Sequence, residues 1–158
     1  PTHPFDYRLK RVLTLASDQV HTLELAFPRT GQTHRFELAD GDWKASDPNT
    51  TLKPLKVEDL LTAVESLEAT GIEPAGVDRK KLGLDPPLAT VRALDAKGTE
   101  LGLLSLGDAS PKEGLPAISS QNSDVWRVSN DLGAQVPLSQ EAFLNLFVKK
   151  PETPPPKP

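Results

Sequence analysis

Between positions 20 and 38, apolar and polar side chains alternate on both sides of Pro28-Arg29-Thr30-Gly31. That pattern predicts a β-hairpin with strands over 20–27 and 32–38 joined by a Pro/Gly turn. Pairing Phe27 with Gln32 sets Leu25 opposite His34, Leu23 opposite Phe36 and His21 opposite Leu38. Alternate residues of a strand share a face, so Leu23, Leu25, Phe27, Phe36 and Leu38 fall on one side. The other side then carries Glu24 across from Arg35 and Thr22 across from Glu37, a favourable polar ladder. A tight turn at Asp40-Gly41-Asp42 leads into a third strand holding Trp43.

The period then changes. Val57, Leu60, Leu61, Val64 and Leu67 recur at spacings of three and four, the stripe of an amphipathic helix. Pro54 stands ahead of it, Glu58 and Asp59 suit the positive end of its macrodipole, and Gly71 is placed to cap its C-terminus. Beyond Pro74 and Gly76, Asp78 caps a short turn that Gly83 closes. Strands follow over 88–95 and 100–106, joined through Ala96-Lys97-Gly98-Thr99. A further pair, 115–119 and 125–129, flanks the polar loop Gln121-Asn122-Ser123-Asp124. Ser139 is a good N-cap for a last helix, with Leu138 and Phe143 spaced as a hydrophobic staple. Phe143, Leu146 and Phe147 form its buried stripe, and Pro151 stops it. The order is β-β-β-α-β-β-β-β-α. Hairpins dominate it, which predicts an α+β domain of antiparallel sheet with two main helices packed on one side.

Composition narrows the possible functions. The 158 residues include no Cys and no Met, which removes disulfides, thiolate metal sites and thiol catalysis. A chain without Met lacks a start residue, so it is expected to be a segment of a longer protein. Net charge is −4 with both signs mixed along the chain, unlike the basic stripe of a nucleic-acid binder. No apolar run approaches the roughly 20 residues needed to span a bilayer, so no direct membrane insertion by this segment is expected. Residues 1–16 read as an arm or linker and 17–150 as one domain. Residues 151–158 hold five of the 16 prolines and read as an extended polyproline tail.

Three short signatures occur in order: Gly41-Asp42-Trp43, Leu82-Gly83-Leu84-Asp85-Pro86-Pro87, and Leu104-Ser105-Leu106-Gly107-Asp108. With the intervening helix and the last β-pair and helix, they resemble the family catalogued as domain of unknown function 4340, over roughly residues 18 to 148. The resemblance implies a bacterial extracytoplasmic domain, in the periplasm or on the cell surface, tethered by an anchor outside this segment. It also implies tandem copies, and in some members an association with transporters of the gliding-motility type. The family has no agreed catalytic residues, so none is carried over. Trp43, Gly83, Leu84, Pro87 and Gly107 form a structural signature with physical readings of their own. Gly83 is expected in the left-handed region, where a side chain is opposed. Pro86-Pro87 holds the approach to the next strand extended, Gly107 ends a strand, and Trp43 covers the core between sheet and helix.

No chemistry emerges from motif or spacing. In the hairpin register His21 and His34 lie about 13 Å apart, too far to share a metal. The chain lacks a Gly-x-Ser-x-Gly elbow, and Asp40-Gly41-Asp42 lacks the further oxygen ligands of a calcium loop. No cofactor is implied. The surface candidate is the strip Asn122, Asp124, Trp126 and Arg127, since a Trp-Arg pair on a sheet face makes a good contact anchor. Core packing of Trp126 is the competing reading. The function expected is a non-catalytic protein-interaction module, with an envelope protein as partner. Binding of an envelope glycan or small ligand is the alternative.

Overall fold

A computed structural model describes residues 12–13, 15–46, 51–73, 76–110, 112, 114–121 and 124–148. Strands β1 (Thr22–Phe27) and β2 (Gln32–Ala39) pair antiparallel, with Leu23 opposite Phe36, Leu25 opposite His34 and Phe27 opposite Gln32. This is the register that the alternation predicts. Asp40 and Gly41 both have positive φ, 54° and 81°, as a type I′ hairpin turn demands. They connect β2 to β3 (Asp42–Ala45) in a two-residue loop.

Pro54 opens helix α1 (Pro54–Glu65), where its fixed φ suits the first turn. Val57, Leu60, Leu61 and Val64 make the buried stripe. The expected cap at Gly71 is not used: the helix ends at Ser66, whose N–H bonds the Thr62 carbonyl at 2.9 Å. Gly71 belongs instead to a strand that periodicity did not reveal, β4 (Gly71–Ile72). Two residues carry no alternation to detect. Then follow β5 (Ala89–Leu94), β6 (Glu100–Leu106), β7 (Leu115–Ser119), β8 (Trp126–Val128) and helix α2 (Gln140–Phe147). Ser139 caps α2 as expected, its Oγ accepting from the Ala142 N–H at 3.1 Å.

The eight strands form a single antiparallel sheet in the order β3-β2-β1-β5-β6-β7-β8-β4. The fold is α+β, as predicted. The chain order gains one strand, β-β-β-α-β-β-β-β-β-α. On one face Leu23, Leu25, Phe36, Val91, Leu104, Leu106 and Val128 are buried. Phe143 and Phe147 of α2 stack on Phe36 with ring centroids at 5.8 and 6.1 Å. His34 stacks on Phe143 at 3.9 Å. A bridge between Leu52 and Val148, and a 2.7 Å bond from the Lys53 N–H to the Phe147 carbonyl, join the start of α1 to the end of α2. The two helices therefore behave as one layer.

Val12 and Leu13 are 1% exposed and Leu15 is 7% exposed. This part of the expected N-terminal arm belongs to the domain core, and the boundary at 16/17 shifts accordingly. The Val12 N–H bonds the Leu67 carbonyl at 3.2 Å. Residues 1–11 and the Pro-rich tail lie outside the described residues. No helix among the described residues is long and apolar enough to cross a membrane.

The aromatic stack makes a direct test. Phe143→Ala removes the ring that joins α2 to His34 and Phe36, and should cost about 3–5 kcal/mol in urea denaturation. Leu144→Ala, one position along but 46% exposed, should change stability by about 0.5 kcal/mol or less. Equal effects would place the helix–sheet contact elsewhere.

Candidate functional site

The strip read from the sequence as a contact surface is not presented to solvent as a unit. Trp126 is 5% exposed, with Ala117 opposite it on β7 and Ile72 on β4, facing the core. Arg127 points to the other face and is only 8% exposed. Its Nε donates to Glu73 Oε1 at 2.6 Å and its Nη1 to the Gly114 carbonyl at 3.3 Å. Asp124 is exposed; Asn122 lies outside the described residues. The core reading of Trp126 thus prevails, and the surface-anchor expectation for Trp126 and Arg127 is corrected. The cause is β4. The Thr70 N–H bonds the Arg127 carbonyl at 2.7 Å and the Glu73 N–H bonds the Val125 carbonyl at 2.8 Å, so the segment after α1 lies along β8 and covers it.

Of the signature residues, Gly83 and Gly107 meet in space, while Trp43 lies apart from them between α1 and the β2–β3 hairpin. Gly83 has φ +77° and is buried, and the Asp85–Pro86 peptide is cis. Leu84 is 4% exposed, and Pro87 is half-buried just ahead of β5. Gly107 follows β6, with its N–H on the Pro116 carbonyl at 2.9 Å, and the next N–H, of Asp108, reaches the Leu82 carbonyl at 2.9 Å. A Cβ at 107 would lie 2.3 Å from that same Leu82 oxygen. Arg29, from the β1–β2 turn, clasps both loops. Its Nη2 donates to the Gly83 carbonyl at 2.8 Å, its Nη1 to Asp108 Oδ1 at 2.8 Å and its Nε to the Pro86 carbonyl at 3.3 Å. In the sequence Arg29 marks only a turn, and nothing local announces contacts made across 54 to 79 positions. The cluster is architectural: Arg29 and the Gly83 and Gly107 backbone hold two loops against the sheet end.

Two surfaces remain. On the sheet face away from the helices, Glu24 pairs with Arg35 at 3.1 Å and with Arg92 at 3.6 Å. Arg35 also reaches Glu37 at 3.1 Å, and Arg92 reaches Glu100 at 3.0 Å. The ladder expected for one hairpin therefore extends across β2, β1, β5 and β6. On the helical side, Trp43, buried at 4%, lines a groove between α1 and the β2–β3 hairpin together with Leu38, Leu61, Glu58 and Glu65. Glu58 and Glu65 are seven positions apart, two turns along one helix face. That spacing is the one signal in the sequence that could have found this rim. Among the described residues no group of three or more His, Asp or Glu side chains is arranged to hold a metal ion. His34 Nε2 faces Gln140 Oε1 at 2.5 Å, a contact that ties β2 to the start of α2.

No family model, curated protein or solved structure matches the chain.

Two substitutions separate backbone fit from side-chain pairing. Gly107→Ala forces a Cβ onto a backbone oxygen, whereas Gly41→Ala meets no atom within 4 Å and only strains a positive φ. Gly41→Ala should cost about 1 kcal/mol, and Gly107→Ala markedly more, read as urea midpoints. Removing either partner of this largely buried pair, by Arg127→Ala or Glu73→Ala, takes away the 2.6 Å charged hydrogen bond and should cost about 1.5–3 kcal/mol. The double variant should lose less than the sum of the two. Additive losses would mean that the pair is not coupled.

Proposed function

We propose that this chain is a non-catalytic contact module of a membrane-anchored bacterial envelope protein. It acts outside the cytoplasm, within a transporter- or motility-associated assembly, and its mechanism is rigid display of the open sheet face to a protein partner. One observation carries the reading: the charged ladder Arg35–Glu24–Arg92–Glu100, set in cross-strand register on a sheet whose other face is packed by the helices.

Each exposed ion pair of this kind adds little to stability, about 0.2–1 kcal/mol. Its effect on association is larger. Charges already held in place by their neighbours meet a complementary partner with less ordering to do, and they set on-rate and partner choice more than raw affinity. The extracytoplasmic address and the assembly rest on the resemblance to the domain of unknown function 4340 family. Alternation of sign also means that such a face rejects a uniformly charged polymer and selects a patterned one.

The test makes the face uniformly acidic without touching the core. The folded domain should capture permease or envelope proteins from detergent-solubilised membranes of its native host, identified by mass spectrometry. An Arg35→Glu, Arg92→Glu variant, checked for an unchanged circular dichroism spectrum, should recover them about tenfold less, equivalent to about 1.4 kcal/mol. Equal recovery by the two proteins removes this face as the contact surface. Recovery of nothing above background by either removes the contact-module reading.

A further inference from the structure

Two rows of side chains run across β2, β1 and β5 on the face away from the helices. In the first, Arg35 and Arg92 stand opposite Glu24 from either side, so three charges of alternating sign lie in one line. In the second, two residues along each strand and on the same face, Thr33 and Thr90 flank Ala26. Thr33 is exposed, and Ala26 and Thr90 are partly exposed. Long side chains thus stand beside short ones over the same three strands. The short row forms a trough with one charged wall.

The charges of that wall are paired with each other, yet they keep capacity for a partner. Arg35 uses Nε on Glu37 and Nη1 on Glu24, and Arg92 uses Nε on Glu100 and Nη1 on Glu24. The Nη2 group of each still has hydrogens to donate, and both side chains are 45% exposed. Neighbouring strands lie about 4.8 Å apart, so Arg35 and Arg92 are about 9.6 Å apart with Glu24 midway. The repeat of the occupant must match that spacing. On one face of a strand, side chains recur at about 6.7 and 13.4 Å, and neither fits. On one face of an α-helix, positions i, i+4 and i+7 climb about 6 and 10.5 Å, close to the spacing of the row.

From this spacing and charge complementarity we propose that the trough takes an α-helix of a partner protein, laid across β2, β1 and β5. Small side chains of the helix face Thr33, Ala26 and Thr90. Acidic residues at i and i+7 meet the Nη2 groups of Arg35 and Arg92, and a Lys or Arg at i+3 or i+4 meets Glu24. The inference rests on the reading of this face as a contact surface, and it adds the partner's secondary structure and charge spacing.

The probe is an acetylated, amidated, alanine-based peptide of about 18 residues, long enough to form a helix on its own, with Glu at i and i+7 and Lys at i+4. It is titrated into the isotope-labelled chain at about 10 mM salt, where screening is weak. Amide resonances should shift saturably, most strongly at Ala26, Thr33 and Thr90, with a dissociation constant of roughly 1 mM or tighter. Affinity should fall about tenfold for a peptide with the signs exchanged, and for one whose second Glu is moved to i+9 on the opposite helix face. It should fall about tenfold in Arg35→Gln, Arg92→Gln protein, and about fivefold in Ala26→Gln protein, which fills the trough without changing charge. Each variant is first checked for an unchanged circular dichroism spectrum. Failure to saturate overturns the proposal, as does unchanged affinity in either variant. Equal binding of the peptide with the displaced Glu overturns it too, since helical spacing would then not matter. So does equal binding of a peptide with Glu in place of Lys, because the face would then attract any acidic polymer. The capture experiment reads the contact surface separately: partners lost in the Arg35→Glu, Arg92→Glu protein while the helical peptide fails to bind would retain the sheet face and remove only the helix.

Discussion

The Leu82 carbonyl occupies the space that any side chain at position 107 would need. It lies 2.3 Å from where a Cβ would stand, and it accepts the Asp108 N–H at 2.9 Å. Backbone therefore packs on backbone where the loop before β5 crosses the end of β6, and only glycine at 107 permits it. Gly83 is held differently: its φ of +77° favours glycine, and what lies where a Cβ would point are the side-chain ends of Arg29 and Asp108. Once that crossing is made, β5 enters the sheet beside β1, β6 runs out beside β7, and the β1–β2 turn is close enough for Arg29 to reach both loops. The order of the central strands follows from one tolerated approach of two main chains.

The edges of the sheet are handled by brevity. The strands at its two ends are β3 with four residues and β4 with two. Short edge strands offer little template for pairing with another chain. The cost falls on β8, where the two-residue strand must cover a partner carrying both Trp126 and Arg127. Pairing with β4 leaves Arg127 beneath the surface, and Glu73, two residues past Gly71, supplies the compensating charge at 2.6 Å. A buried charge pair of this type adds little net stability compared with apolar packing, yet it penalises a shifted strand heavily, because a slip would separate the partners. The register of a strand too short to specify itself by alternation is fixed by that pair.

Legibility in the sequence tracked how local each signal was. The β1–β2 register was readable because alternation and a four-residue turn both argue for the same pairing. Helix α2 was readable from Ser139 and Phe143, which lie within one turn of each other. Strand β4 was not, since its only partner is some 55 positions away and Gly71 has an equally good local reading as a helix cap. Trp126 carried two readings for the same reason: whether β8 is an open edge or a covered strand depends on β4. Arg29 looked like a turn residue because its partners, Gly83, Pro86 and Asp108, are brought to it only by the crossing at Gly107. Of the surfaces, half of the charged ladder could be read from the first hairpin. The other half required knowing that β5 lies beside β1. The acidic rim showed only as the spacing of Glu58 and Glu65.

Helices on one side and charged strands on the other divide the molecule's surface into two chemistries. The ladder is nearly balanced in sign, with Glu24, Glu37 and Glu100 against Arg35 and Arg92, so its field decays quickly and it discriminates at contact distance. The groove instead sets Asp18, Glu58 and Glu65 beside apolar Leu38, Trp43 and Leu61. The two surfaces share β2: Leu38 lines the groove from one face of it, and Arg35 and Glu37 carry the ladder on the other, so the packing that fixes β2 in the sheet positions both at once.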